Sequence, residues 1–203
     1  MEDDRRQHAP SAARNRDPIW QVLGPELPRE GLVLEVASGS GEHAVHFAGL
    51  ADPGLVFQPT DSSADARASI DAWAATLALP NVRPALALDV TGDVWPVSRA
   101  DAVVCINMIH IAPWSATVGL VRGAARVLPP GGLLFLYGPY RRDGRHTAPS
   151  NAAFDADLRR RNADWGVRDL EAVAECAAAA GFGPPRVAPM PANNLSVVLR
   201  HLG

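Results

Sequence analysis

Short apolar runs alternate with amphipathic stretches along most of this chain. Residues 32–37 form an aliphatic, β-branched run with one acid, Glu35, inside it, and they read as a buried strand. Ser38-Gly39-Ser40-Gly41 follows as a turn, and residues 42–48 read as a helix opening on that turn. Runs at 55–61, 82–89, 101–108 and 133–137 read as four more strands. Pro59 lacks the N–H that a ladder needs, which predicts that the second strand ends there. Helices are predicted over 62–78, Ala-rich and closed by Pro80, and over 114–128, stopped by Pro129-Pro130-Gly131-Gly132. Near the start, a short helix is predicted over 19–23. It follows Asp17-Pro18, because proline suits a first turn, and Pro25 and Pro28 end it.

After Gly138-Pro139 the pattern changes. Residues 140–163 are polar and Arg-rich, and read as an insertion or lid that is partly helical over 151–161. Another helix, 167–180, ends at Gly181-Phe182-Gly183. Residues 186–190 and 195–199 read as two closing strands. The link between them is too short for a crossover helix, so they pair antiparallel. Strands alternating with helices imply a mostly parallel sheet covered on both faces. The expectation is one α/β domain spanning 1–203, with a mobile start over 1–13.

Composition narrows the function. The chain has 203 residues, 47% hydrophobic and 20% charged, enough to bury a full core. All 19 basic residues are Arg, which excludes a Schiff-base lysine and the lysine of a phosphate-binding P-loop. A net charge of -3 lacks the basic excess of a general nucleic-acid binder, so no nucleic-acid partner is expected. Cys105 and Cys176 give neither a disulfide framework nor paired zinc spacing. The start, Met1-Glu2-Asp3-Asp4-Arg5-Arg6, has no apolar signal region behind it, and no run is long enough to cross a bilayer. A cytoplasmic protein without membrane contact is the expectation. His43 and His46 lie one helical turn apart, but no third ligand stands at a recognisable spacing, so no metal is expected.

The candidate chemistry lies at the turn. A glycine turn between a strand and a helix lets a ligand approach bare backbone beside unpaired helix N–H groups. Gly39 to Ala44 satisfies the loose dinucleotide pattern, and Asp61 sits about 20 residues on, where a strand-end acid bonds ribose hydroxyls. That pair points to a nucleoside-containing cofactor without separating nicotinamide from S-adenosylmethionine. Three features tilt the choice toward the latter. A carboxylate inside the first strand, Glu35, needs a partner such as an ammonium. Asp89-Val90 could read an adenine edge. The last two strands form an antiparallel hairpin.

The run from Leu34 to His43 resembles the first motif of class I S-adenosylmethionine-dependent methyltransferases. Further matches are Arg14-Asn15, residues 58–61, 107–114 and 137–140, Ser150-Asn151, Phe154-Asp155, 165–169 and 190–195. With these, nearly the whole chain is similar to the family containing the methyltransferase-like 26 proteins. The resemblance implies a Rossmann-like, doubly wound sheet of seven strands, mostly parallel, with the last strand antiparallel. It also implies roles. Glu35 organises the methionine end, and Gly39 and Gly41 admit the cofactor. Ala37 stands where many members carry Gly. Asp61 holds the ribose, and Asp89 and Val90 the adenine. Asn107 and Met108 flank the sulfonium, while Arg14 and Asn15 reach the cofactor carboxylate.

Open α/β sheets place ligands beyond the carboxyl ends of their strands. His110, a titratable ring after the fourth strand, is therefore the candidate base. Trp114, Tyr137 and Tyr140 are candidate walls of an acceptor pocket, and Asn151, Asp155 and Arg161 candidate contacts from a closing lid. The expected function is methyl transfer to a small-molecule acceptor. An NAD(P)-dependent oxidoreductase, a catalytically silent cofactor-binding module, and a protein or RNA methyltransferase are the alternatives.

Overall fold

The computed structural model describes residues 4–203. Nine strands and six helices are present among them: α1 (Pro10–Leu23), β1 (Glu30–Val36), α2 (Glu42–Leu50), β2 (Gly54–Asp61), α3 (Ala64–Thr76), β3 (Leu86–Ala87), β4 (Ala102–Ile106), α4 (Trp114–Val127), β5 (Leu133–Arg142), β6 (Arg145–His146), α5 (Pro149–Arg161), β7 (Arg168–Asp169), α6 (Leu170–Ala179), β8 (Arg186–Met190) and β9 (Asn194–Arg200). The main sheet runs β3-β2-β1-β4-β5-β9-β8, with β6 and β7 branching from the far end of β5. The strands from β3 to β5 are parallel, and β9 is antiparallel to both β5 and β8. This is the expected α/β layout with antiparallel closing strands.

Alternation along the central strands divides the core in two. Leu34 and Val36 of β1, with Val103, Cys105, Leu134 and Leu136, pack against Leu120 and Val121 of α4 and Val173 of α6. Val33, with Val104, Ile106, Phe135 and Tyr137, packs against Ile19 and Leu23 of α1 and Phe47 of α2. Glu35 follows Val33 by two residues and so shares its side of the sheet, at the strand tip. Gly119 and Gly123, one turn apart on α4, make room for the segment after β3. A Cβ at Gly119 would lie 2.2 Å from Val90 O, and one at Gly123 1.9 Å from the Trp95 ring.

Three local expectations are corrected. The first helix begins at Pro10, not after Pro18, and carries Pro18 inside it. The lost N–H of Pro18 is tolerated because Ala12, Ile19 and Leu23 are buried along the helix. Of the start expected to be mobile, residues 1–3 lie outside the described residues, and residues 10–13 belong to α1. Between residues 4 and 9, Gln7 N donates to Ser69 Oγ at 2.7 Å, Ala9 N to Glu42 Oε2 at 2.6 Å, and Trp73 Nε1 to Gln7 O at 3.0 Å.

Strand β2 runs on through Pro59 to Asp61. Phe57 bonds the outer segment, through Asn81 O and Arg83 N, and Asp61 O accepts from Leu88 N. Pro59 falls between these two contacts on the same edge, where the ladder is already interrupted. Strand β3 shrinks from the expected 82–89 to Leu86–Ala87, joined upstream by a single bridge from Val82 to Phe57. Pro84 separates the two pieces, and its carbonyl takes the Gln58 side-chain amide instead, at 2.8 Å.

Candidate functional site

Strands β1 and β4 are where the sheet order reverses, so the loops beyond their carboxyl ends diverge and leave a crevice. A cavity of about 600 Å3 lies there. The β1 tip and the glycine turn line it through Glu35, Ala37, Ser38, Gly39 and Ser40. The β2 tip supplies Asp61 and Ser62, and the segment after β3 supplies Leu88, Asp89, Val90 and Thr91. Asn107, Met108 and 111–113 come from the loop after β4, and His43 from α2. The N-terminal segment closes one side through Ala9, Ser11 and Ala12. No Arg is among these lining residues.

The turn is built by unusual backbone. Ala37, Gly39 and Gly41 all have positive φ, of 56°, 58° and 91°. Ala37 thus accepts a left-handed conformation that glycine adopts freely. The two glycines differ in what they permit. A Cβ on Gly39 would meet no atom within 4 Å, so its bare face is open to a ligand. A Cβ on Gly41 would lie 2.7 Å from Ile70 Cα, so Gly41 lets α3 pack under the turn and does not line the cavity. Gly41 also starts α2 without a side-chain cap.

The acids are held in different ways. Asp61 Oδ2 accepts from Gly39 N at 3.0 Å and Oδ1 from Ser63 N at 2.9 Å, which ties the β2 tip to the turn. Asp89 Oδ1 accepts from both Thr91 N and Thr91 Oγ1, at 2.9 and 2.7 Å, and these bonds hold its pKa below the usual carboxylate range. Glu35 is buried, and its Oε2 has no hydrogen-bond partner. Burial pushes its pKa up to about 8, against a hydrogen bond from Ser38 and with help from the Asp61 charge. A buried carboxyl with a free oxygen at a cavity wall is complementary to a cationic donor.

Of the residues singled out from the sequence, the cavity brings together Glu35, Ala37, Gly39, Asp61, Asp89, Val90, Asn107 and Met108. It does not include Arg14, which is exposed on α1, or Asn15, whose Oδ1 instead lies 2.8 Å from His43 Nε2. It also leaves out His110. That ring is 3% exposed, lies edge-on to Phe154, and has a buried Nδ1 without a partner. Burial, and then the Arg168 charge, push its pKa down to about 4.

None of the six expected acceptor contacts lines the cavity. Tyr137 and Tyr140 are buried in β5. Asn151 donates to Asn193 O at 2.9 Å, and Asp155 accepts from Val167 N at 2.7 Å, so both fasten α5 to neighbouring segments. Arg161 lies over Trp165, and Trp114 under Arg168. The segment expected to act as a lid consists of the β5–β6 hairpin and α5, which these contacts join to the rest of the fold. Arg168, not singled out beforehand, donates to the carbonyls of Ile109, Ala112 and Asp164 and fixes the loop after β4. Its only sequence signal was its place in the 165–169 match.

His43 and His46 are engaged with α1, through Asn15 Oδ1 and Asp17 Oδ1, each at 2.8 Å. Among the described residues no group of three His, Cys, Asp or Glu could hold a metal ion, and no helix is long and apolar enough to cross a membrane.

Solved structures share this architecture. An O-methyltransferase family protein from Burkholderia thailandensis superposes with a TM-score of 0.78 over 94% of this chain, at 17% identity, and 57% of its own length is covered. Human N-acetylserotonin methyltransferase, solved with S-adenosylmethionine, gives 0.70 over 91% of this chain at 16% identity, with 53% of its own length covered. An O-methyltransferase family 2 protein from Planctomyces limnophilus, in complex with apigenin, gives 0.73 over 94% at 19% identity, with 60% covered. The chain spans little more than half the length of these proteins, and what it shares with them is the class I methyltransferase fold. A family model described as "Protein of unknown function (DUF938)" matches residues 6–201, and the chain belongs to that family.

Proposed function

We propose that the protein is a cytoplasmic S-adenosylmethionine-dependent methyltransferase acting on a small-molecule acceptor, akin to the methyltransferase-like 26 proteins. The observation that carries this reading is the charge inventory of the cavity: Glu35, Asp61 and Asp89 line it and no Arg does. A dinucleotide would bring two phosphates against the carboxylates of Asp61 and Asp89. A ligand bearing an ammonium and a sulfonium meets complementary charge instead. When bound, S-adenosylmethionine supplies a methyl group activated by a positive sulfur. The residues present fit it. Glu35 would take the ammonium on its free Oε2, Asp61 the ribose hydroxyls, and Asp89 with Val90 the adenine edge. The open face of Gly39 admits the ligand to the backbone. Met108, Ile111 and Pro113 provide apolar walls that exclude water from the reacting end. Two proteins of the same fold, named for or solved with N-acetylserotonin and apigenin respectively, support a small acceptor.

Calorimetric titration tests the reading. S-adenosylmethionine and S-adenosylhomocysteine are expected to bind and NAD to give no heat; binding of NAD alone overturns the assignment. A cofactor-binding module without turnover is the second reading, favoured by the absence of all six expected acceptor contacts from the cavity. It predicts cofactor affinity with no release of S-adenosylhomocysteine on any acceptor, and loss of a partner protein's binding in Asp61→Ala.

A further inference from the structure

His43 sits in the first turn of α2, 9% exposed, and lines the cavity. Its Nε2 lies 2.8 Å from Asn15 Oδ1. An amide oxygen only accepts, so Nε2 carries the proton and Nδ1 keeps a bare lone pair. The ring is fixed from two sides. Phe47 packs against it at 5.6 Å between centroids, and Asn15 holds Nε2. Helices α1 and α2 thus both contribute to its orientation. Burial first, and then the neighbouring His46 and Arg16, push the ring's pKa down to about 4, so it is neutral near pH 7 and Nδ1 accepts.

The one hydrogen bond of the His43 side chain among the described residues is that of Nε2 with Asn15. On the methyl-transfer reading, Glu35, Asp61 and Asp89 are taken by the ammonium, ribose and adenine of the cofactor, and a sulfonium offers no hydrogen of its own. The group still lacking in this cavity is a donor on the second ligand. We propose that His43 Nδ1 is the acceptor-recognition atom of the site, receiving the O–H or N–H hydrogen of the molecule to be methylated. This rests on the methyl-transfer reading. It adds that the acceptor carries no net negative charge, since no Arg lines the cavity to offset one. Asn15 acts through His43 as a positioning residue.

Phenol, aniline and anisole test it on protein saturated with S-adenosylhomocysteine. The three share a ring, and anisole lacks the donor. Two variants separate the ring nitrogens: His43→Gln keeps an amide at the Nε2 position beside Asn15, whereas His43→Asn keeps one at the Nδ1 position. In the wild type, phenol or aniline is expected to bind about tenfold tighter than anisole, the worth of one hydrogen bond. His43→Asn should retain that preference and His43→Gln lose it. Both variants should hold S-adenosylhomocysteine within about threefold of wild type, a difference under ~0.7 kcal/mol. In the 15N spectrum of histidine-labelled protein, the Nδ1 resonance should shift with phenol and not with anisole. Equal affinity for the three probes, binding of none of them, an unmoved Nδ1 resonance, or a preference kept by His43→Gln and lost by His43→Asn overturns the proposal. So does a large loss of S-adenosylhomocysteine affinity in His43→Gln, which would assign Nδ1 to the cofactor. If the wild type fails to bind S-adenosylhomocysteine at all, the methyl-transfer reading itself falls, which separates the two failures.

Discussion

Glu35 has two conflicting demands on it: it is buried among strands, and it faces a cavity. Its pKa lies at about 8 instead of the ordinary 4.5, so between those values the folded chain holds a proton that the unfolded chain has released. Stability therefore falls as pH rises through that window, by up to about 1.4 kcal/mol per unit, and the cost is absent below it. Denaturant midpoints measured across the window should show this slope, and Glu35→Gln should flatten it. The same carboxyl should ionise when an ammonium arrives. Calorimetry in buffers of different ionisation enthalpy is then expected to show proton release of up to one on S-adenosylmethionine binding near pH 7.

The glycines make a matched pair at this scale. Gly41→Ala forces a Cβ to 2.7 Å from Ile70 Cα and should destabilise the fold by about 2 kcal/mol, read in urea. Gly39→Ala meets no protein atom. It should cost only about 1–2 kcal/mol, for its left-handed backbone. Its loss of at least tenfold should appear in affinity for S-adenosylhomocysteine. Both glycines stood in one sequence pattern, and nothing in it distinguished ligand access from helix packing, because Ile70 is some thirty residues away. His43 was hidden for the same reason. Its neighbour His46 suggested a metal, whereas Asn15 fixes its tautomer from a helix whose start was misjudged.

At the scale of elements, the long central strands and their helices were legible because apolar period and length agreed. Three departures from the local pattern involve proline. Pro18 inside α1, Pro59 inside β2 and Pro84 beside β3 are each tolerated or exploited by contacts from another part of the chain, which a local pattern cannot carry. Composition alone suggests a lid for the polar segment after β5; the hydrogen bonds that Asn151 and Asp155 make with neighbouring segments leave no local signal in the sequence.

A further tertiary clamp joins the turn after α1 to the closing hairpin. Glu26 is bonded by Arg186 of β8 and Arg200 of β9. Burial raises the Glu26 pKa, but the hydrogen bonds from Arg200 and Arg186 outweigh it, and the net pKa is lowered. Its stabilisation is thus present above the ordinary carboxylate range and lost as pH falls through the folded value. Glu26→Gln should cost about 1 kcal/mol at neutral pH, limited by the exposure of both arginines. Wild type and variant should converge in acid, followed by paired urea titrations.

Over the whole molecule, charge separates what the cavity admits. The chain is net -3, and the charged side chains that line the cavity are all acids, Glu35, Asp61 and Asp89. S-adenosylmethionine is a net cation and S-adenosylhomocysteine a neutral zwitterion, so their affinities should respond differently to ionic strength. Raising salt is expected to weaken the methylated form and leave the demethylated product nearly unchanged, as titrations at two salt concentrations would show. Equal salt responses would mean that the tip carboxylates do not act on the sulfonium end.

Strand β9, placed between β5 and β8, also governs how the protein is made. It follows the other eight strands in sequence, yet Leu133 to Pro139 of β5 find their second partner only in residues 194–200. On a translating ribosome, the crevice-forming half can assemble early while β5 keeps a bare hydrogen-bonding edge. Until residues 194–200 are made, that edge has no strand to cover it, and β9 is what removes it as a site for pairing with another chain.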